Sequence, residues 1–233
     1  FDCFEPMILA AKESSIKNFL YASSSSVYGI KETSDVNEQT SLEPLTDYSK
    51  FKAQCEEILL SNTNGNFVGT VIRPATVCGY SPRQRLDLVV NILTNVAYHK
   101  KIIKIFGGSQ LRPNIHISDM VDSYLCILKS EINKVSNQVF NVGFENYSVE
   151  KLALMVKENI NEKVELQYSK SDDNRSYHIN SDKIANLIGF KPKKNINDAI
   201  KDLIIAFDRK KLNDTLNNED YFNIKKMQKI NLK

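Results

Sequence analysis

The chain has 233 residues, 42% hydrophobic and 25% charged, with a formal net charge of +3. That balance suits a globular protein with one good-sized core or two small ones, and it excludes a disordered or fibrous chain. No apolar run reaches the roughly 18 residues of a spanning helix, and the opening FDCFEPMILAAKESS lacks the basic start and cleavage site of a secretory signal, so a cytoplasmic protein with no membrane partner is expected.

EPMILAAKESS places Met7, Ile8, Ala11 and Ile16 at helical spacing and feeds NFLYASSS, which reads as a short buried strand running into a serine-rich turn. Residues 47–60 form a second helix with Phe51, Cys55, Ile58 and Leu59 on one side. A turn from Asn62 to Asn66 then leads into the apolar strand FVGTVIRP. Strands that are apolar on both faces and alternate with helices predict an α/β fold with a parallel, doubly covered sheet.

After Arg73 and Pro74 the pattern changes. ATVCGYSPRQR reads as a loop, a helix carries Leu88, Val89, Ile92, Leu93 and Val96, and KIIKIF is a strand closed by Gly107 and Gly108, together a smaller lobe. NIHISDMVDSYLCILKS opens another helix, with Ser118 and Asp119 expected as its caps, and NQVFNVG reads as a core strand rejoining the first sheet. Ser148 is expected to cap VEKLALMVKENI, KVELQYS to form a strand, and Ser181 to begin a helix that stops at Gly189. The last helix, from about Asn197, carries Ile200, Leu203, Ile204 and Phe207 at amphipathic spacing. Residues 209–233 hold seven basic and three acidic residues, so the basic balance belongs to the tail. A solvated surface helix or frayed end is the expectation there, with no nucleic-acid partner. The four cysteines are dispersed with no nearby histidine pattern, which indicates neither a disulfide framework nor a metal site.

Tyr48 and Lys52 lie four positions apart near the start of a helix and so share a face. A tyrosine with its ordinary pKa near 10 is a poor base at neutral pH, but a fixed ammonium close by stabilises its phenolate. Alone, the pair is a weak signal, because Tyr-x-x-x-Lys arises by chance in many helices, and an ordinary solvated face is the plainer reading. The serines of YASSSSVYG add weight, because ligands of open α/β sheets bind beyond the carboxyl ends of the strands. A turn whose serines bond only backbone is the plainer alternative.

SSSSVYG, then Glu43-Pro44, then YSKFK resemble the extended short-chain dehydrogenase/reductases, and within them the nucleotide-sugar epimerases. VIRPATVCG, FGGSQLRPNIHISDMVDSY and FNVG resemble that family's later segments in the same order, so the resemblance runs to about residue 207. It implies the C-terminal part of a Rossmann-type doubly wound parallel sheet with a smaller α/β substrate-binding lobe. Residues 1–80 would be a partial dinucleotide-binding domain, 81–207 the lobe, with about 115–145 returning to the sheet, and 208–233 a basic tail.

Residue by residue, the resemblance implies Tyr48 as acid/base, Lys52 as its electrostatic partner at the nicotinamide ribose, and Ser24 as the donor to the reacting sugar hydroxyl. Ala22, Ser23 and Pro74, with Tyr48 and Lys52, would contact NAD, NADP being an open alternative. Ser24, Ser25, Ser26, Thr76, Asn91, Arg112 and Arg175 would contact the nucleotide sugar, the arginines gripping its diphosphate. His116 is expected to be structural, His99 and His178 surface residues, and Cys78 no nucleophile. A homodimer is also implied.

Members of this family bind their dinucleotide through a glycine-rich turn, yet the first glycine here is Gly29, so the chain reads as a piece lacking roughly a hundred preceding residues. Ser25 and Ser26 stand where the family's dehydratases resemble Asp-Glu and its fucose-forming enzymes carry a cysteine. The implied chemistry is therefore oxidation and reduction at one carbon: C4 epimerisation of a UDP-sugar through a transient 4-keto intermediate. A 4-ketoreductase or dehydrogenase, or a non-catalytic dinucleotide-binding remnant, stays open.

Overall fold

The computed structural model describes residues 2–31, 33, 35–170, 176 and 178–231. Helices and strands follow in the order α1 (Phe4–Glu13), β1 (Asn18–Ala22), α2 (Asp47–Asn62), β2 (Val68–Pro74), β3 (Thr76–Cys78), α3 (Val89–Lys100), β4 (Ile102–Phe106) and β5 (Leu111–His116). Then come α4 (Ile117–Lys129), α5 (Ile132–Val135), β6 (Gln138–Val142), β7 (Glu145–Ser148), α6 (Val149–Asn159), β8 (Glu165–Ser169), α7 (Asp182–Ile188), α8 (Ile196–Asp208) and α9 (Asn223–Lys229). The chain divides into two compact units.

The first unit comprises Phe1–Ala75, Asp119–Phe144 and Arg175–Pro192. Its sheet has the order β1-β2-β6, parallel throughout, with Leu20 beside Thr70 and Ile72 beside Phe140. Strand β2 is buried from Val68 to Arg73, which explains why FVGTVIRP shows no polar alternation. Helices α1 and α2 cover one side through Phe4, Ile8, Cys55 and Leu59, packed with Phe67 and Val71. The Phe4 ring lies 4.8 Å from that of Tyr21 and 6.3 Å from that of Phe19. Helix α2 starts where it does because Thr46 and Ser49 cap each other reciprocally, Ser49 N–H donating to Thr46 Oγ1 at 3.2 Å and Thr46 N–H to Ser49 Oγ at 3.0 Å.

Gly29 closes the serine-rich segment at φ +70° and ψ −147°, a region essentially reserved for glycine. A Cβ built there falls 2.1 Å from the Glu43 carbonyl oxygen. The variant Gly29→Ala is therefore expected to lose roughly 2–4 kcal/mol, the left-handed backbone and the overpacking adding together. Urea denaturation checks this, and a loss below about 1 kcal/mol would show that the loop after it relaxes freely.

The second unit comprises Thr76–Ser118, Glu145–Asn174 and Lys193–Lys233. Strands β3, β5 and β7 form one sheet in the order β3-β5-β7, parallel then antiparallel, and β4 and β8 form a parallel pair. Helices α3, α6 and α8 enclose Val90, Leu93, Ile105, Leu152, Val156 and Ile200. Thr76–Cys78, read from sequence as loop, and Leu111–His116, of which Asn114–His116 was read as helix entry, are strands, as is Glu145–Ser148; ladders to each other hold them, and they are too short or polar to alternate visibly.

Helix α4 begins at Ile117, so Ser118 and Asp119 lie inside its first turn rather than ahead of it. The capping acceptor is His116, whose Nδ1 takes the Ser118 N–H at 3.1 Å. After α8 the chain packs Leu212, Tyr221 and Phe222 against Leu86, Leu203 and Phe207, and Leu86 N–H donates to the Tyr221 carbonyl at 2.9 Å. Among the described residues no helix is long and apolar enough to cross a membrane, and no group of three or more His, Cys, Asp or Glu side chains could hold a metal ion.

Candidate functional site

Strand β1 ends at Ala22, and Ser23 N–H extends its ladder by donating to the Ile72 carbonyl at 2.7 Å. The next residue, Ser24, is extended and caps a 3-10 turn over Ser25–Tyr28. Its Oγ accepts the Ser26 N–H at 3.2 Å and lies 2.8 Å from Ser26 Oγ, so the two hydroxyls form a pair. Ser25 is buried, and Ser23 Oγ is buried with no hydrogen-bond partner among the described residues. Within the run, the Ser24 hydroxyl satisfies the turn, and the Ser23 hydroxyl is left over among the described residues.

Tyr48 occupies the first turn of α2 and is 58% exposed. Lys52, one turn later, is half-buried and donates from Nζ to the Ala22 carbonyl at 2.7 Å. The same nitrogen lies 4.9 Å from the Tyr21 ring centroid and 5.7 Å from that of Tyr48. Burial pushes the Lys52 pKa below its ordinary value, against the opposing pull of Cys55 and Glu56. The ammonium is therefore tethered to the carboxyl end of β1 and lies against the ring of the tyrosine one turn before it. Pro74 ends β2, beside Val142 of β6. Ala22, Ser23, Ser24 and Pro74 thus all sit at the carboxyl ends of parallel strands, where α/β sheets bind ligands.

Behind these groups lies a buried polar network that the sequence reading did not identify. Arg73 on β2 donates from Nε to both carboxylate oxygens of Glu56 on α2 at 3.1 Å and from Nη2 to Oε2 at 2.6 Å. Its Nη1 donates to Tyr28 Oη at 2.8 Å, and Tyr28 donates onward to Asn141 Oδ1 at 2.7 Å. Arg73 and Glu56 stand 17 residues apart on different elements, and no local pattern announces such a pair.

Asn141 N–H in turn donates to Glu38 Oε1 at 2.7 Å. Burial raises the Glu38 carboxyl above its ordinary 4.5, although that backbone donor favours the charged form. The folded state then holds the proton more tightly than the unfolded chain, so the contribution of Glu38 to stability is full below the ordinary carboxylate range and is lost as pH rises through the raised value. Glu38→Gln keeps an acceptor for Asn141 and removes the titration. Its urea midpoint relative to wild type is expected to shift in the variant's favour between pH 4.5 and neutrality, and a constant difference would show that Glu38 does not titrate in that window.

Of the remaining residues singled out from sequence, Thr76, Cys78, Asn91, His99, Arg112 and His116 belong to the second unit, His178 belongs to the first and is part-buried, and Arg175 lies outside the described residues. Thr76 opens β3 beside Asn114, and Arg112 on β5 faces Tyr147 with Nη1 donating to the Leu111 carbonyl at 2.9 Å. Asn91 is buried in α3 and spends its amide on backbone: Oδ1 accepts the Gly79 N–H at 3.0 Å and Nδ2 donates to the Arg85 carbonyl at 2.8 Å. His116 is buried, with Nε2 3.1 Å from Asp202 and Nδ1 engaged by Ser118. The Cys78 thiol is buried and donates to the Ile115 carbonyl at 3.4 Å.

A model of the NAD dependent epimerase/dehydratase family matches residues 4–143. An uncharacterized UDP-glucose epimerase, YtcB of Bacillus subtilis, is 33% identical over 165 residues, covering 70% of this chain and 51% of that protein. The dTDP-D-glucose 4,6-dehydratase of Homo sapiens is 26% identical over 210 residues, covering 85% of this chain and 58% of that one. The chain therefore spans little more than half the length of these relatives. Among solved structures, UDP-glucuronic acid 4-epimerase from Bacillus cereus, in complex with UDP-glucuronic acid and NAD, superposes with a TM-score of 0.78 at 24% identity, over 88% of this chain and 66% of that one. The likeness in fold is to a Rossmann-type α/β architecture with parallel strands.

Proposed function

We propose that this chain, which belongs to the NAD dependent epimerase/dehydratase family, carries the catalytic residues of a nucleotide-sugar epimerase acting at C4 of a UDP-sugar. The observation that carries the epimerase reading is the Ser24–Ser26 hydroxyl pair, 2.8 Å apart. It puts a neutral group beside the sugar-binding serine, where elimination of water calls for an additional acid and base.

The groups present fit NAD. Ser23 Oγ is a buried polar atom awaiting a partner, and the Lys52 ammonium, tethered by one donor to Ala22, has two more to offer a ribose. Ser23, Lys52, Ala22 and Pro74 would hold it at the strand ends, and bound NAD supplies the exchange of hydride with the sugar carbon.

The chain's own residues do the rest. Ser24 donates to the reacting hydroxyl and orients it. Tyr48 Oη takes the proton of the 4-hydroxyl, leaving a 4-keto sugar, and returns a proton to the oxygen once the opposite face is reduced. Lys52 stabilises the negative charge on Oη during the transfer. On the substrate side the proposal assigns Arg112, by charge, to the diphosphate, with Thr76 and Arg175 as further contacts; Asn91, buried with its amide spent on the Gly79 and Arg85 backbone, is left out. A homodimer is the proposed assembly, favoured by the exposure of Met7 and Leu9 on α1 and Phe51 on α2.

The test is incubation of the purified gene product with UDP- and dTDP-sugars, with products read by NMR. Conversion to the C4 epimer without net change of the nicotinamide is expected. A 4-keto-6-deoxy product would make it a dehydratase, net consumption of reduced cofactor a reductase, and no turnover would refute an enzymatic role.

A further inference from the structure

We infer that Tyr28 is a positioning residue: through Arg73 and Glu56 it clamps the helix that carries Tyr48 and Lys52 to the turn that carries Ser24. The inference rests on the roles proposed above for those three residues.

The three parts of the clamp come from three elements. Tyr28 ends the turn that Ser24 caps, Arg73 lies on the central strand β2, and Glu56 follows Lys52 by one helical turn of α2. Arg73 stands beside Asn141 in the β2–β6 register, so Tyr28 Oη reaches two adjacent strands at once.

The direction of every bond is forced. Arg73 can only donate, and Asn141 Oδ1 can only accept, its Nδ2 already donating to the Val36 and Asn180 carbonyls at 3.2 and 3.0 Å. The Tyr28 hydroxyl therefore accepts from Arg73 and gives its proton to Asn141, in one orientation. Tyr28 is fully buried, and burial raises its pKa, so it stays a phenol and cannot itself exchange protons with substrate. A buried ion pair of this kind contributes little net stability compared with apolar packing, so the role assigned to the network is geometric. A shift of about 1 Å between catalytic groups is enough to cost ~100-fold in rate.

Tyr28→Phe tests this without changing charge or shape. The expected result is a fall of about 10- to 100-fold in kcat at unchanged KM for the nucleotide sugar. In the apo protein, 13C-lysine NMR should show the Lys52 titration moving up toward its ordinary value as the helix loosens. Thr70→Val is the control: it removes another buried hydroxyl of β2, bonded to the Val135 carbonyl at 2.8 Å, and should lower stability while leaving kcat and the Lys52 titration as in wild type. If Tyr28→Phe does not fold, Arg73→Lys, which keeps the charge but cannot fork between Glu56 and Tyr28, takes its place. A variant indistinguishable from the Thr70 control in kcat and in the Lys52 titration overturns the inference. If wild type turns over no nucleotide sugar, the functional reading fails, and the titration alone still decides the clamp.

Discussion

Tyr48→Phe is expected to lower turnover of the nucleotide sugar by about 10²- to 10⁴-fold, the range supplied by a positioned acid/base. The substitution removes one oxygen from a side chain that is 58% exposed, so the fold has little reason to respond. Substrate binding should persist, since the proton moves only in the reacting complex, and the loss should appear in kcat rather than in KM. Lys52→Met should fall in the same direction, but with a cost to the strand end as well, because Lys52 Nζ also donates to the Ala22 carbonyl at 2.7 Å. Steady-state kinetics of the two variants, with circular dichroism to confirm folding, check this. If Tyr48→Phe turns over as fast as wild type, proton transfer does not run through the phenol, and the assignment of α2 as the catalytic helix falls.

Glu56→Ala is expected to destabilise the first unit by about 3–5 kcal/mol, because it strands a buried guanidinium. Both side chains are nearly inaccessible, at 6% for Arg73 and 4% for Glu56, and three of the guanidinium contacts go to that one carboxylate. The double replacement Glu56→Leu with Arg73→Leu should recover much of the loss, since it removes both charges from the interior, although it leaves Tyr28 with one partner. Hydrogen exchange of the β1 and β2 amides reads the first unit directly, even if the two units unfold separately. Equal protection in wild type and Glu56→Ala would mean that solvent reaches Arg73 and repairs the loss. The first prediction removes chemistry and spares the fold; the second strikes the fold of the first unit and, with it, the clamp on the helix that carries Tyr48 and Lys52.

The α/β class and the parallel sheet of the first unit were legible because they depend on local patterning. FVGTVIRP is apolar without alternation, and a strand buried on both faces has to be. Phe51, Cys55, Ile58 and Leu59 mark α2 by their helical spacing, which puts Tyr48 and Lys52 on one helical face, whereas the Thr46–Ser49 box that starts the helix shows only in the structure. The strands β3, β5 and β7 were not legible. They are three to six residues long, carry Thr, Asn, Arg and Glu, and exist only because their ladders complete one another. The start of α4 escaped for a similar reason: its cap is a histidine ring supplied by the preceding strand, and no propensity marks that arrangement.

At the candidate site the division is sharper. The identity and spacing of Ser24, Tyr48 and Lys52 belong to the sequence, since they are set by residue type and by the period of one helix. Tertiary structure alone decided that Lys52 is tethered to Ala22, thirty residues away, that Ser24 is paired with Ser26, and that Asn91 turns its amide to the backbone. It also decided that Arg73, Glu56 and Tyr28 meet. Those three lie on a strand, a helix and a turn, and contacts of that kind depend on how the elements pack, which short-range periodicity does not encode.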